Sequence, residues 1–298
     1  MTREPALRSV HFVPGGQRKL LERALESRAD ALVLDLEDAT APEHKAEARR
    51  LAASWLETLD FRGKTRIVRI NPLDGPLAAD DLEALLPAPP DCLMLPKLRG
   101  AEELRELAAR LDALEAKYGH PRGRLRVLPI ATETPEGLLH LEEIAAAPRV
   151  AAITWGAEDL AAALGARANR GPDGRYLELF RHARWSTLVA ARAAGVQAID
   201  GVYLEFRDEA GLRAESEEAA RGGFDGKLTI HPAQIDPVNE AFTPSAQEVA
   251  RAERLLAAFE SEARAGRAVF SFEGRMVDAP HREQARRLLA KARAGPGA

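Results

Sequence analysis

Three stretches of the chain run apolar and then turn acidic: VLDLEDA (33–39), VLPIATETPEG (127–137) and ITWGAEDL (153–160). One such acid needs no special chemistry, because it can cap the helix that follows. Its recurrence points to carboxylates gathered in one place. Carboxylates held together away from water need compensation, which a divalent cation and basic side chains supply. The seven histidines show no H-x-x-x-H spacing, so a zinc hydrolase is not expected. Carboxylate ligands without clustered His or Cys favour a hard ion, Mg²⁺ or Mn²⁺. Such an ion polarises a carbonyl and steadies a developing enolate. Arg69, near the end of TRIVRIN (65–71), offers a planar fork for the carboxylate or carbonyl oxygens of a substrate. Lys97 admits a Schiff-base aldolase reading, but the set of acids favours a metal-stabilised enolate.

Elements of regular spacing must bring these groups together. Short β-rich runs at 9–14, 31–37, 65–71, 92–97, 125–131, 151–156, 198–205 and 227–232 alternate with helical periodicity, including 43–59, 101–117, 135–146, 175–194, 208–222 and 245–266. The runs are continuously apolar, as in a parallel sheet covered on both faces. About eight βα units in a row predict an α/β fold of the (β/α)₈ TIM-barrel type. An open doubly wound sheet is the alternative, and the absence of G-x-G-x-x-G after the first strand argues against its dinucleotide-binding form. Residues 1–242 are assigned to the barrel. Residues 243–298 form a C-terminal helical extension, with SFEGRMVDAPH (271–281) as a loop in its middle. In such a barrel the strand ends meet at one mouth. Read in order, they are Pro14-Gly15-Gly16, Glu37-Asp38, Arg69 with Asn71, Lys97, Glu133, Glu158-Asp159, Glu205 and His231.

Bulk composition narrows the classes. A 46% apolar chain of 298 residues can build a large core. A net charge of −4 carries no electrostatic footprint for nucleic acid. The single cysteine, Cys92, rules out an intrachain disulfide and suits a reducing cytoplasm. No apolar signal region or membrane-length run is seen, so a cytoplasmic protein without membrane contact is expected.

In order and spacing, RSVHFVPG, VLDLEDA, VRIN, MLPK, ATETPEG, WGAEDL and GKLTIHPAQI resemble the citrate lyase beta-subunit-like CoA-ester lyases, within the HpcH/HpaI-type phosphoenolpyruvate/pyruvate barrel group. The resemblance spans essentially the whole chain. It implies an oxo-acid lyase that cleaves citryl-CoA, malyl-CoA or citramalyl-CoA, with Mg²⁺, to an acyl-CoA and a 2-oxo acid. It implies Glu133 and Asp159 as metal ligands, and Glu37 and Asp38 as acids holding water around the ion. It places Arg69 on the keto-acid oxygens and the N–H groups of Gly156, Ala157 and Glu158 on the keto-acid carboxylate. Pro14, Gly15 and Gly16, with Arg18 and Lys19, would approach the CoA. Asp278, in GRMVDAPH, would reach the site of a neighbouring subunit and transfer a proton at the acyl α-carbon. That role requires a homo-oligomer, and the resemblance implies a trimer or a multiple of one. The alternatives are a CoA-independent metal-dependent aldolase of hydroxy-oxo acids, a subunit that needs an acyl-carrier partner, and an enzyme that also hydrolyses the thioester.

Overall fold

The computed structural model describes residues 6–293. Eight strands, β1 (Ser9–Pro14), β2 (Ala31–Asp35), β3 (Thr65–Arg69), β4 (Cys92–Leu95), β5 (Arg126–Pro129), β6 (Ala152–Ile153), β7 (Gln197–Asp200) and β8 (Gly226–Thr229), form one sheet in the order β5-β4-β3-β2-β1-β8-β7-β6. Every pairing in it is parallel. The two ends of this order meet through isolated bridges, Val127 to Val150 and Ile130 to Thr154. There the Ala131 N–H donates to Thr154 O at 2.8 Å and the Ala151 N–H to Val127 O at 3.0 Å. The sheet is therefore a (β/α)₈ barrel, as expected, and the open doubly wound alternative falls.

Alternation along each strand sends successive side chains to opposite faces. Val10, Val33, Ile67, Met94, Leu128, Ala152, Ile199 and Leu228 make one buried cluster that fills the barrel. Each buried side chain of this kind contributes roughly 1.5–3 kcal/mol. The intervening Leu32, Leu34 and Leu93 are buried as well, which explains the unbroken apolar runs. The helices follow local rules. In Ala101–Tyr118, Leu104, Leu107, Leu111 and Leu114 form the buried stripe. Glu103 accepts the Gly100 N–H at its start, and Gly119 closes it at φ 75°.

Within the barrel, three local expectations change. The ladders stop short of the apolar runs, so most of the polar strand-end residues lie on loops just past them. β7 stops at Asp200, which leaves Glu205 exposed in the following loop rather than at the strand end. The helix expected over 135–146 is two short ones, Pro135–Leu139 and Leu141–Ala145, interrupted at His140, whose φ of −108° and ψ of 20° leave the helical range.

Residues 7–239 form one compact unit, and the described residues from Glu240 onward belong to a second. In the second, the helices Ala246–Arg264 and Ala279–Ala292 enclose Ala252, Leu255, Phe259, Val277, Ala285 and Leu289. Where a loop was expected there is a hairpin, β9 (Phe270–Phe272) with β10 (Arg275–Val277). Its two-residue turn has Glu273 at φ 48° and Gly274 at φ 79°, the left-handed pair of a type I′ turn. No described helix is long and apolar enough to cross a membrane.

Candidate active site

At the C-terminal ends of β2 and β3, Asp35 and Arg69 are register partners on adjacent strands. Their side chains form a two-pronged pair, with Arg69 Nε on Asp35 Oδ1 at 2.7 Å and Nη2 on Oδ2 at 2.6 Å. Asp35 is buried and also accepts the Glu37 and Ala39 N–H groups at 2.9 and 3.1 Å. The same carboxylate thus fixes both the guanidinium and the turn that follows β2. Arg69 Nη1 reaches Glu37 Oε2 at 2.9 Å, and the guanidinium lies 5.0 Å from the Phe12 ring centre. Burial works against its charge, but the bonds to Asp35 and the nearby carboxylates outweigh it and keep Arg69 protonated.

Lys97 follows β4 with φ of 55°, a left-handed conformation unusual for a side-chain-bearing residue. Held this way, it faces the acids twice. Its N–H donates to Glu133 Oε2 at 2.7 Å. Its ammonium bonds Glu37 and lies 3.4 Å from Asp38 and 3.6 Å from Asp159. Burial opposes this charge too, but Glu37, Asp159 and Asp38 raise its proton affinity above that of an ordinary lysine. The ammonium is therefore a counter-ion, which weakens the Schiff-base reading.

Five carboxyl groups, Asp35, Glu37, Asp38, Glu133 and Asp159, thus meet two cations, Arg69 and Lys97. The excess shows in their proton affinities. Burial first, then the Asp159 charge, pushes Glu133 up to about 8. Burial also raises Glu37. For the more exposed Asp38, burial is outweighed by its hydrogen bond with Glu37 and by Lys97 and Arg69, and its carboxyl falls below the usual range. Gly156 permits this crowding, because a Cβ there would lie 2.7 Å from Glu133 Cγ.

Among the described residues, no group of three or more His, Cys, Asp or Glu is arranged to hold an ion. Glu133 and Asp159 are two. That number fits Mg²⁺, which commonly takes one or two protein carboxylates and keeps several waters. The chemistry of the pair fits as well, since a cation would offset both the burial of Glu133 and its repulsion from Asp159.

The matching family model is HpcH/HpaI aldolase/citrate lyase, over residues 8–232. The chain belongs to this family. A (3S)-malyl-CoA thioesterase of Cereibacter sphaeroides is 42% identical over 287 residues, covering 96% of this chain and 95% of that protein. The mitochondrial citramalyl-CoA lyase of Mus musculus is 38% identical over 301 residues, covering 96% and 86%. Among solved structures, protein CitE from Mycobacterium tuberculosis, in complex with magnesium, acetoacetate and coenzyme A, superposes with a TM-score of 0.81 at 38% identity, covering 96% of this chain and 98% of that one.

In this HpcH/HpaI barrel, Glu37, Asp38, Arg69, Glu133 and Asp159 come together around Lys97, and other residues make contacts of their own. The Gly156 N–H donates to Thr132 Oγ1 at 3.2 Å. The Glu158 carboxylate is exposed and accepts from Asn169 at 2.6 Å. The Gly15 N–H donates to Asp35 O at 2.9 Å, and a Cβ on Gly15 would lie 2.7 Å from that oxygen, so this glycine lets the loop close onto β2. A hollow of about 280 Å³ beside it is lined by Pro14, Gly16, Gln17, Ala39, Thr40 and His44 among others. His231 caps the short turn Pro232–Gln234 and stacks on Phe206 at 4.8 Å. Trp155 packs on Tyr176 and donates to buried Asp200 at 2.8 Å. Within its own unit, Asp278 begins the helix Ala279–Ala292, with Oδ1 2.6 Å from His281 Nδ1.

Asp35 was missed in the sequence because it reads as the end of an apolar strand. The available signal was its period-two spacing from Val33 and Glu37, which sets it on the barrel's inner face.

Proposed function

We propose that this protein is a Mg²⁺-dependent carbon–carbon lyase that cleaves a 3-hydroxyacyl-CoA, such as malyl-CoA, citramalyl-CoA or citryl-CoA, to an acyl-CoA and a 2-oxo acid. The observation that carries the reading is the buried Glu133 beside Asp159, close to a guanidinium that Asp35 holds in place. Glu133 and Asp159 would hold Mg²⁺, with Mn²⁺ as a substitute, and Glu37 and Asp38 would hold water around it. When bound, the ion draws electron density from the oxygens of the hydroxy acid and its keto product. Arg69, already oriented, binds the same oxygens without the entropic cost of ordering a free side chain.

In the cleavage direction the 3-hydroxyl loses its proton and its C–O bond becomes a carbonyl. The C2–C3 bond breaks, and its electron pair passes into the thioester as an enolate. A proton added at C2 then gives the acyl-CoA, so one proton leaves and one arrives. The Ala157 and Glu158 N–H groups, at the start of the helix Ala157–Ala163, are suited to the keto-acid carboxylate. Gly156 serves there by its shape, since its own N–H is on Thr132. The hollow at Pro14 and Gly16, with exposed Arg18 and Lys19 nearby, would take part of the CoA. Asp278 of a second copy is assigned the C2 proton, which requires a homo-oligomer, and the proposed assembly is a trimer or a multiple of one.

The test is cleavage of malyl-CoA, citramalyl-CoA and citryl-CoA with Mg²⁺ or with EDTA, trapping the keto acid. Release from one of them that EDTA abolishes is the expected result. No release, from a protein that still binds Mg²⁺ and a keto acid, would move the assignment to a CoA-free aldolase or a carrier-dependent subunit. The likeness to a malyl-CoA thioesterase favours one second reading, hydrolysis of the thioester. Free thiol released in step with keto acid would establish it, and keto acid without thiol would exclude it.

A further inference from the structure

The turn carrying Glu37 and Asp38 is held from outside the acid cluster, by Lys45 at the start of the helix Lys45–Thr58. Its ammonium donates to Leu36 O at 3.0 Å, Glu37 O at 2.9 Å and Asn71 Oδ1 at 2.7 Å. An ammonium has three protons, and each has an acceptor here. Asn71 passes the connection on. Its backbone N–H and its Nδ2 both donate to Asp81 Oδ2, at 2.9 and 2.7 Å. Asp81 is wholly buried, and its other oxygen accepts Arg49 Nε at 2.6 Å. Lys45 and Arg49 are four residues apart, so one helix face supplies both cations.

The relay spans a gap that the sheet leaves open. The β2–β3 ladder ends at the pair Asp35 and Arg69, and the Leu36 N–H adds one more bond, to Arg69 O at 2.9 Å. Beyond that point, Lys45 and Asn71 tie the Leu36–Glu37 backbone to the chain two residues past Arg69. We infer that Lys45 is a positioning residue: through its three bonds it sets the Glu37–Asp38 turn against Arg69 and so governs cation binding at a site it does not touch. The inference rests on the metal reading proposed above for the same site.

The test uses Lys45→Met, which keeps the aliphatic stem and removes the donors. Lys45→Arg serves as the variant that keeps the charge if the methionine protein folds poorly. Amide exchange at Asp38, Ala39 and Thr40 should quicken about tenfold in Lys45→Met, and less in Lys45→Arg, while exchange in β7 and β8 stays as it was. Mn²⁺ binding followed by electron paramagnetic resonance, without substrate, should weaken about three- to tenfold. In a Glu37→Gln/Asp38→Asn background the same change should alter Mn²⁺ affinity by less than about twofold, because the carboxylates being positioned are gone. A merely structural role would give the same factor in both backgrounds, and that result overturns the inference. So does unchanged exchange at 38–40 in a protein whose wild type binds Mn²⁺. A wild type that binds no Mn²⁺ overturns the metal reading itself, and the inference with it.

Discussion

Glu133 is the residue whose charge state says most about the site. Its carboxyl ionises near 8 in the metal-free protein because burial and Asp159 both oppose the charge, whereas in the unfolded chain it ionises in the ordinary carboxyl range. Over the interval between, the folded form holds a proton that the unfolded form has lost. Glu133's own contribution to metal-free stability therefore falls as pH rises through that interval and is lowest above about 8. With Glu133 as a ligand, as proposed, ion binding must displace the proton. Titration calorimetry at pH 7, in buffers of differing ionisation heat, should find close to one proton released per Mg²⁺, and about none above pH 9. Proton release that does not change with pH would show that Glu133 is not a ligand. Arg69→Lys retains a charge but loses the fork on Asp35. A fall of about 10²-fold in kcat/KM, with the folded state intact by circular dichroism, is the expected result.

At the scale of elements, the barrel's strands also carry polar groups on their outer faces. His11 on β1 is buried, with Nδ1 3.0 Å from Thr229 Oγ1 on β8. Burial lowers it to about 4, despite a hydrogen bond to the Thr229 backbone that favours its charge. The unfolded state takes up the proton first, so the stability His11 contributes at pH 7 is lost as pH falls through about 6.5 to 4, by about 3 kcal/mol in all. Urea unfolding of His11→Asn at pH 5 and pH 7 should show a correspondingly smaller loss than wild type. Much of this layout was legible beforehand. Each of the eight apolar runs became a strand, and the helix over 101–117 came out within one residue, because long periodic segments decide their own structure. The helices Arg18–Glu26, Leu77–Leu85 and Ala157–Ala163 were not named, since each is short and takes its stability from packing on the sheet. Glu37, Arg69 and Glu133 could be placed at strand ends by counting. Asp35 and Lys97 could not be given their parts, because those depend on a register pairing and on a left-handed backbone that no residue type announces.

For the whole molecule, the assignment of Asp278 to a neighbour's chemistry predicts complementation. Asp278→Ala and Glu133→Ala should each be inactive alone. Refolded together, they should regain up to about a quarter of wild-type activity, since a mixed oligomer contains some sites with both residues intact. If the mixture stays inactive while light scattering shows mixed oligomers, the residue works elsewhere. The way the barrel closes has a consequence of its own. Glu133 follows β5 and Asp159 follows β6, and these are the strands joined only by isolated bridges. A cation shared by the two acids would be a clasp across that seam, so occupancy and fold integrity would be one equilibrium. At a hundred times its dissociation constant such a ligand adds about 2.7 kcal/mol. Exchange should slow first at Ala131, Ala151 and Thr154, the amides that stitch the seam, while the opposite wall at β1 and β2 changes little. Starved of its ion, the barrel would open first along the very line where it does its chemistry.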